Sequence, residues 1–272
     1  MPELPEVETL RRGIQAHLPD KRIVAVAVAN PKILKGQSEA EFRDRTVGRR
    51  IQSAHRRGKH LLLPLTPLTP IETSWTLHVH LNMRGSLRLA TGHADNTGGH
   101  LCLTLSLEGG QELRYHDTWG WGEIRAEESG EEPALGPDAF TGTWDGAGLL
   151  KRIGTRRSPI KVALLDQNVL AGVGNIYADE ALYRARVLPN RPASALSLKE
   201  AEALAEAIHA VLTEAVGLGG SRGEFVDLWG ETGQFAPQIY DRGGQLCPSC
   251  QNPLEKIRLG GRGTTFCPHC QK

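Results

Sequence analysis

The sequence predicts an α+β protein of more than one domain, and three observations carry that prediction. Short apolar stretches separated by glycine-rich turns fill the first half of the chain. Helical spacing of apolar residues takes over beyond residue 138. The tail returns to β-like segments around two C-x-x-C pairs, Cys247/Cys250 and Cys267/Cys270. A chain of 272 residues can bury two separate hydrophobic cores. The texture divides it into 1–128, a linker at 129–138, a helical part at 139–236 and a metal-binding tail at 237–272.

The first helix begins at the N-terminus. Pro5 suits the first helical position, and Glu6 and Glu8 complement the positive end of the helix dipole. Val7, Leu10, Ile14 and Leu18 repeat at helical spacing and make one apolar stripe. Residues 22–29 alternate and are rich in valine, so they predict a strand. Residues 42–47 lead into a second β segment at 50–55, and Arg56-Arg57-Gly58-Lys59 forms a basic turn before a strand at 60–63. Pro64, Pro67 and Pro70 mark a loop. Strands at 74–81, 85–89, 101–107 and 112–115 follow, short and evenly spaced. That spacing indicates a sandwich or a barrel rather than a parallel sheet. Glycine, proline and acidic residues cluster at 127–137, where the linker falls.

Beyond the linker, 149–153 and 159–165 are short helical stretches and 175–185 is a longer one. The clearest helix is 197–216. Ser197 and Glu200 make a capping box, Leu204, Ile208, Val211 and Val216 form the stripe, and Gly217 closes it.

The chain has no apolar run of membrane-spanning length and an acidic, helical start, so it is expected to be soluble and cytoplasmic. Net charge is +1, yet lysine and arginine concentrate at 43–59 and 151–161 while 127–132 is acidic. Such basic runs are either solvated faces or patches that meet a polyanion. Four of the five cysteines form the two C-x-x-C knuckles, joined by a segment of hairpin length. Four thiolates in that pattern predict one structural Zn2+ bound tetrahedrally, with every position filled by protein. Cys102, inside an alternating strand, is expected to be a small buried side chain.

Two further stretches carry candidate chemistry. Pro2 is a secondary amine once Met1 is removed, and a desolvated amine is a nucleophile that condenses with aldehyde-like carbon to an electron-withdrawing iminium. Glu3 and Glu6 lie beside it as an acid and a charge partner; the same residues also read as an ordinary helix start. In 166–177, glycines ahead of a helix present backbone N–H groups at its positive end, which suits one phosphate but matches no nucleotide fingerprint.

Pro2-Glu3-Leu4-Pro5-Glu6-Val7-Glu8-Thr9, Arg56-Arg57-Gly58-Lys59, His80-Leu81-Asn82-Met83-Arg84-Gly85, Gly172-Val173-Gly174-Asn175-Ile176-Tyr177 and Gly261-Arg262-Gly263-Thr264 with the four cysteines resemble, in that order, the formamidopyrimidine-DNA glycosylase family. The N-terminal motif is closer to that branch than to the related endonuclease VIII branch. The resemblance spans nearly the whole chain. It implies an N-terminal β-sandwich with flanking helices, then a helix–two-turns–helix domain and a zinc finger. It also implies a monomer that excises oxidised bases from double-stranded DNA, or acts at abasic sites, in the bacterial nucleoid. Pro2 would attack C1′ of the flipped-out nucleotide. Glu3 would protonate the sugar ring oxygen or the departing site, Lys59 would contact the lesion or its phosphate and serve β-elimination, and Arg262 would hold phosphate and assist δ-elimination. Glu6, Asn175, Arg156 and Lys161 would support contact with DNA, and Met83 would fill the hole left in the base stack.

The sequence departs from the family pattern after Asp117, where an arginine and a phenylalanine are usual. Here the run is Thr118-Trp119-Gly120-Trp121-Gly122. Trp121 can stand for the phenylalanine, but Gly120 offers no guanidinium. Gly98 falls where the family often has a histidine, and 221–234, matching a loop that closes on the flipped base, differs from the usual sequence. These departures point to relaxed or shifted base choice, towards formamidopyrimidines, hydantoins or oxidised pyrimidines. A damaged-DNA-binding protein without turnover is the alternative from another class.

Overall fold

The helix α1, Leu4–His17, forms where the apolar stripe predicts it, and Val7, Leu10, Ile14 and the following Leu18 are buried. The computed structural model describes residues 2–91, 100–130, 133–223 and 225–272; Met1 and Gly98 lie outside them. The chain forms two compact units, 1–133 with 219–234, and 134–218 with 235–272.

Among the described residues of the first unit, eight strands form two antiparallel sheets of four. They are β1 (Ile23–Val28), β2 (His55–Arg57), β3 (His60–Pro64), β4 (Trp75–His80), β5 (Gly85–Thr91), β6 (Leu101–Leu107), β7 (Gln111–Asp117) and β8 (Glu123–Glu128). The sheet orders are β1-β6-β7-β5 and β2-β3-β4-β8. Alternation turns Leu61, Leu63, Leu77, Val79 and Ile124 of one sheet towards Leu87, Leu103, Leu105, Leu113 and Tyr115 of the other, in one core that also takes the stripe of α1. This is a sandwich rather than a barrel.

Three stretches ahead of the linker differ from what the sequence predicts. Residues expected to lead into a β segment form the helix α2, Glu39–Thr46, capped by Ser38, whose Oγ accepts from the Glu41 N–H at 3.2 Å. Only Phe42 and Thr46 are buried on it, so there is no apolar stripe to read, although the Ser38/Glu41 capping box is present. In place of a strand at 50–55, Arg50 and Ile51 form only isolated bridges. The acidic stretch expected to be linker from 127 starts inside β8. Ile124 and Ala126 point inward there while Glu123, Arg125 and Glu127 point out, and those charges mask the strand.

The second unit holds α3 (Gly146–Ile153), α4 (Ile160–Leu165), α5 (Asn175–Arg184), α6 (Leu198–Gly217) and the hairpin of β9 (Glu255–Leu259) and β10 (Arg262–Phe266). Residues 166–174 make the two turns between α4 and α5. The capping box on α6 is formed, with the Ser197 N–H donating to Glu200 at 2.8 Å, and Leu204, Ile208, Val211 and Val216 are buried. Residues 219–234, expected with the helical part, pack into the first unit. Phe225 and Leu228 enter its core, and the Leu89 N–H donates to the Leu228 carbonyl at 2.8 Å. No helix among the described residues is long and apolar enough to cross a membrane.

Candidate functional site

At the start of α1, Pro2 and Glu3 are buried, and Glu3 is the residue that caps the helix. Its N–H donates to Glu6 Oε2 at 2.9 Å. Glu6, 1% exposed, also accepts at Oε1 from the N–H and the Oγ–H of Ser221, at 2.8 and 2.9 Å. The carboxylate therefore joins the N-terminus to a segment 215 residues away. Gly220 allows this close approach: its φ is +94°, and a Cβ there would lie 3.0 Å from Glu6.

Glu8, one turn further on, links the same helix to the basic turn. It pairs with Arg11 and Arg12 at 2.9 Å and with Arg56 at 3.1 Å. Burial opposes its charge, but the three guanidinium groups together hold the carboxyl below its ordinary range. Arg56 in turn donates to the Gly58 carbonyl at 2.9 Å, fixing the turn in which Gly58 takes φ +59° and presents Lys59. Pro2, Glu3 and Lys59 are thus set on two elements coupled through Glu8 and Arg56. The sequence reading used Glu8 only for the helix dipole. Arginines at 11 and 12 and in the basic turn, facing one acid, were the available signal.

Between β7 and β8, Asp117 accepts from the Trp119 N–H at 2.9 Å and the Gly122 N–H at 2.7 Å, and so folds the Trp-Gly-Trp turn. Trp119 and Trp121 are 46% and 56% exposed, with ring centroids 4.8 Å apart. The Arg84 guanidinium lies 5.2 Å from the centre of the Trp119 ring. Asn82 donates to the Trp121 carbonyl at 2.8 Å, which binds the turn carrying half-buried Met83 to the indole pair. Gly120 has φ +64° with the Asn30 amide 3.0 Å from where a Cβ would stand, so an arginine there would be strained. A Cβ on Gly122 would meet the Tyr115 hydroxyl far inside van der Waals contact.

In the second unit, Asn175 opens α5 after Gly174, and its Oδ1 is a buried acceptor with no hydrogen-bond partner among the described residues. Arg156 is partly exposed and pairs with Asp166 at 2.7 Å. Lys161 has a different place from the one expected. It is 0% exposed, its Nζ lies 2.6 Å from Asp179 Oδ1, and it donates to the Gly263 carbonyl and Thr264 Oγ1 at 2.9 Å. A side chain without solvent-facing surface does not grip a phosphate; Lys161 ties α4 and α5 to the hairpin beside Arg262. Asp179 also accepts from the Thr265 N–H at 3.0 Å, and burial, against the pull of Lys161, raises its carboxyl to about 6. Glu180 accepts from the N–H groups of Gln238, Ile239 and Tyr240 at 2.8 to 2.9 Å. Arg262 itself is exposed at the tip of the hairpin, after Gly260 and Gly261 with φ +53° and +78°.

Cys247, Cys250, Cys267 and Cys270 bring their sulfurs within 4.8 Å of one another. The Cys247–Cys270 and Cys250–Cys267 separations are 3.9 and 3.5 Å. Bonds of about 2.3 Å to a tetrahedral zinc place sulfurs roughly 3.8 Å apart, so the four fit one structural ion. The Tyr183 hydroxyl lies 3.2 Å from Cys247 Sγ and packs with Ile239 and Leu254 around the cluster.

Comparison with known proteins agrees along the chain. The family model for the formamidopyrimidine-DNA glycosylase N-terminal domain matches residues 1–124, that for the formamidopyrimidine-DNA glycosylase H2TH domain matches 135–226, and that for the zinc finger found in FPG and IleRS matches 244–272. Proteins called formamidopyrimidine-DNA glycosylase from Desulfitobacterium hafniense and Geobacter metallireducens are 39% and 41% identical, with full coverage of both chains. The crystal structure of the MutM (Fpg) protein from Thermus thermophilus matches with a TM-score of 0.86 at 36% identity, covering 99% of this chain and 98% of that one. The complex between the Lactococcus lactis Fpg and DNA containing an abasic site matches with a TM-score of 0.91 at 30% identity over 100% of both chains.

Proposed function

The chain belongs to the formamidopyrimidine-DNA glycosylase family, and from that premise we propose that it is a base excision repair glycosylase and AP lyase acting through Pro2. Its substrate is double-stranded DNA carrying oxidised bases or abasic sites; the matching Lactococcus lactis protein is in complex with DNA containing an abasic site. Its place of work is then the cytoplasm, at the nucleoid. The observation that carries the reading is the buried start of α1, where Pro2 and Glu3 are fixed by Glu6 and coupled through Glu8 and Arg56 to the turn of Lys59.

With Met1 removed, the Pro2 nitrogen attacks C1′ of the extruded nucleotide. The bond from C1′ to the base breaks, and the base leaves with the electron pair and takes up the proton that the Pro2 nitrogen gives up. Glu3 protonates the ring oxygen as the sugar opens, leaving an iminium between C1′ and the Pro2 nitrogen. That cation withdraws electrons, so loss of a proton from C2′ expels the 3′ phosphate, a step served by Lys59. Arg262 holds phosphate and assists the second elimination, which expels the 5′ phosphate. Asn175, at the start of α5 and offering its side-chain NH2 as donor, and Arg156 contact the DNA backbone. The zinc ion is structural: it fixes the hairpin that carries Arg262. Lys161 acts on the same hairpin from within.

Borohydride trapping on duplexes carrying either an abasic site or 8-oxoguanine tests the reading. A covalent band on both that disappears in Pro2→Gly is expected. Absence of any band with tight binding retained would leave a damage-binding protein without turnover. Base choice is the finer part of the reading. Gly120 supplies no guanidinium and the exposed Trp119/Trp121 pair stacks without hydrogen-bond selection, so discrimination of the opposite base is weak or shifted. Cleavage rates of one lesion opposite each of the four bases are expected to lie within about one order of magnitude, roughly 1.4 kcal/mol. A strong cytosine preference would overturn this part.

A further inference from the structure

The outer face of the sheet β2-β3-β4-β8 carries a cluster that the proposed chemistry does not use. The alternation that sends Leu61, Leu63, Leu77 and Val79 into the core leaves His60, His78 and His80 on the opposite side. The register sets His60 beside His80, and His80 beside Glu123. His60 Nδ1 lies 2.7 Å from His78 Nε2, and His78 Nδ1 lies 2.8 Å from Glu127 Oε2. His80 stacks on His60 with centroids 4.3 Å apart and planes at 16°.

We propose that His60, His78 and Glu123 form a second metal site, for one divalent transition ion of the zinc or cobalt class, with Glu127 orienting His78. One ligand atom from each of the three lies within 4.8 Å of the others. Glu127 takes the Nδ1–H of His78, which fixes the tautomer and turns the Nε2 lone pair towards His60. Without an ion, His60 donates its own Nδ1–H to that lone pair. An ion takes the place of this proton, which moves to His60 Nε2 as the neutral imidazole changes tautomer. Metal–nitrogen bonds of about 2.0–2.1 Å in tetrahedral geometry require the two nitrogens to stand roughly 3.3 Å apart, a parting of about 0.6 Å that small ring rotations supply. The His80 ring and the Glu127 carboxylate limit those rotations to the ring planes already present. Glu123 is held only loosely by Arg125, at 3.5 Å, because the guanidinium makes its short contact, 2.8 Å, with Glu127. The positive charge of Arg125 opposes a cation here, and two carboxylates offset it. Two imidazoles and one carboxylate leave a fourth position to water, the ligand pattern of an open nitrogen–oxygen site and unlike the closed thiolate site of the finger. The site begins one residue after Lys59, so an ion would stiffen the start of β3 behind the basic turn.

The test is titration of the full chain, its finger loaded with zinc, with Co2+. One equivalent is expected to give visible ligand-field bands without the near-ultraviolet thiolate-to-cobalt band that marks exchange into the finger. Glu127→Gln is expected to weaken binding by about 10–100-fold, and His78→Gln and Glu123→Gln by at least as much. Glu123 is partly exposed, so Glu123→Gln keeps the test valid should His78→Gln fail to fold. No second equivalent, cobalt bound only with thiolate bands, or equal affinity in wild type and Glu123→Gln would each overturn the proposal.

Discussion

Glu6 in the first unit and Asp179 in the second are both about 1% exposed, and each ties a distant segment to its own helix. Glu6 accepts hydrogen bonds from the N–H groups of Glu3 and Ser221 and from the Ser221 hydroxyl. Asp179 faces a cation, Lys161, which is itself buried and which also holds Gly263 and Thr264. Both devices lie beside a candidate site element, Pro2 and Glu3 in one case and the turn of Arg262 in the other. Their failure modes differ. Hydrogen bonds from Ser221 to a carboxylate with other donors can be lost one at a time, whereas a buried ion pair that loses one member strands the other. The segment at Glu6 also has apolar anchors in Phe225 and Leu228, while the hairpin at Asp179 leans on the four-cysteine cluster and a small core.

The largest separation between the two regions is expected on metal removal. Four thiolates brought together without an ion lose the folding free energy of a structural zinc site, about 10–16 kcal/mol in isolated fingers. Chelation should therefore unfold the tail and release the hairpin while the sandwich, held by its own core, stays folded. Hydrogen exchange that rises across 244–272 and not across β3, β4 and β7 is the expected pattern; a single concerted loss of both would break the comparison. Next is Lys161→Met, which leaves the Asp179 carboxylate buried without its cation and should cost about 3–5 kcal/mol in denaturant unfolding. The pH dependence has a definite sign. Asp179 titrates near 3.8 in the unfolded chain and at about 6 when folded, and higher still without Lys161. Between these values the native state binds more protons, so stability falls as pH rises. The penalty of Lys161→Met is accordingly larger at pH 8 than at pH 5. A flat profile would show that the pair is solvated.

Where the sequence was legible, local chemistry and tertiary packing agreed. The stripe Val7-Leu10-Ile14 on α1 and the apolar Leu103 and Leu105 of β6 lead to buried positions, and the solvent-facing Ser197/Glu200 box caps α6 where its spacing places it. The four cysteines were legible because zinc imposes its own spacing. The losses have a common cause. The helix α2 buries two residues and β8 alternates apolar with charged, so neither presents a pattern stronger than its polar surface. Lys161 sits in a basic run, and charge alone reads as a phosphate contact; only the fold supplies Asp179 and places Lys161 at 0% exposure. The return of 219–234 to the first unit goes with contacts to residues far off in the sequence, the bonds from Ser221 to Glu6 across 215 residues and the burial of Phe225 and Leu228, for which no local signal exists.

The smallest expected effect sharpens the Glu6 side of the comparison. Ser221→Ala removes the hydroxyl donor at 2.9 Å but keeps the backbone N–H at 2.8 Å, so Glu6 remains partly satisfied. A hydrogen bond to a charged group is worth about 1.5–3 kcal/mol, and the remaining donors keep the cost at the low end of that range. Because the bond joins the N-terminus to 219–234 rather than sheet to sheet, the loss should appear first as local opening. Amide exchange at Ser221 and its described neighbours is expected to rise about tenfold, the equivalent of roughly 1.4 kcal/mol, while exchange in β6 and β7 stays unchanged. If this segment acts in base selection, as the family resemblance implies, KM for a damaged-base duplex should rise more than KM for an abasic duplex, which has no base to select. An equal rise for both duplexes, with no change in local exchange, would place the effect of Ser221 on the amine of Pro2 instead.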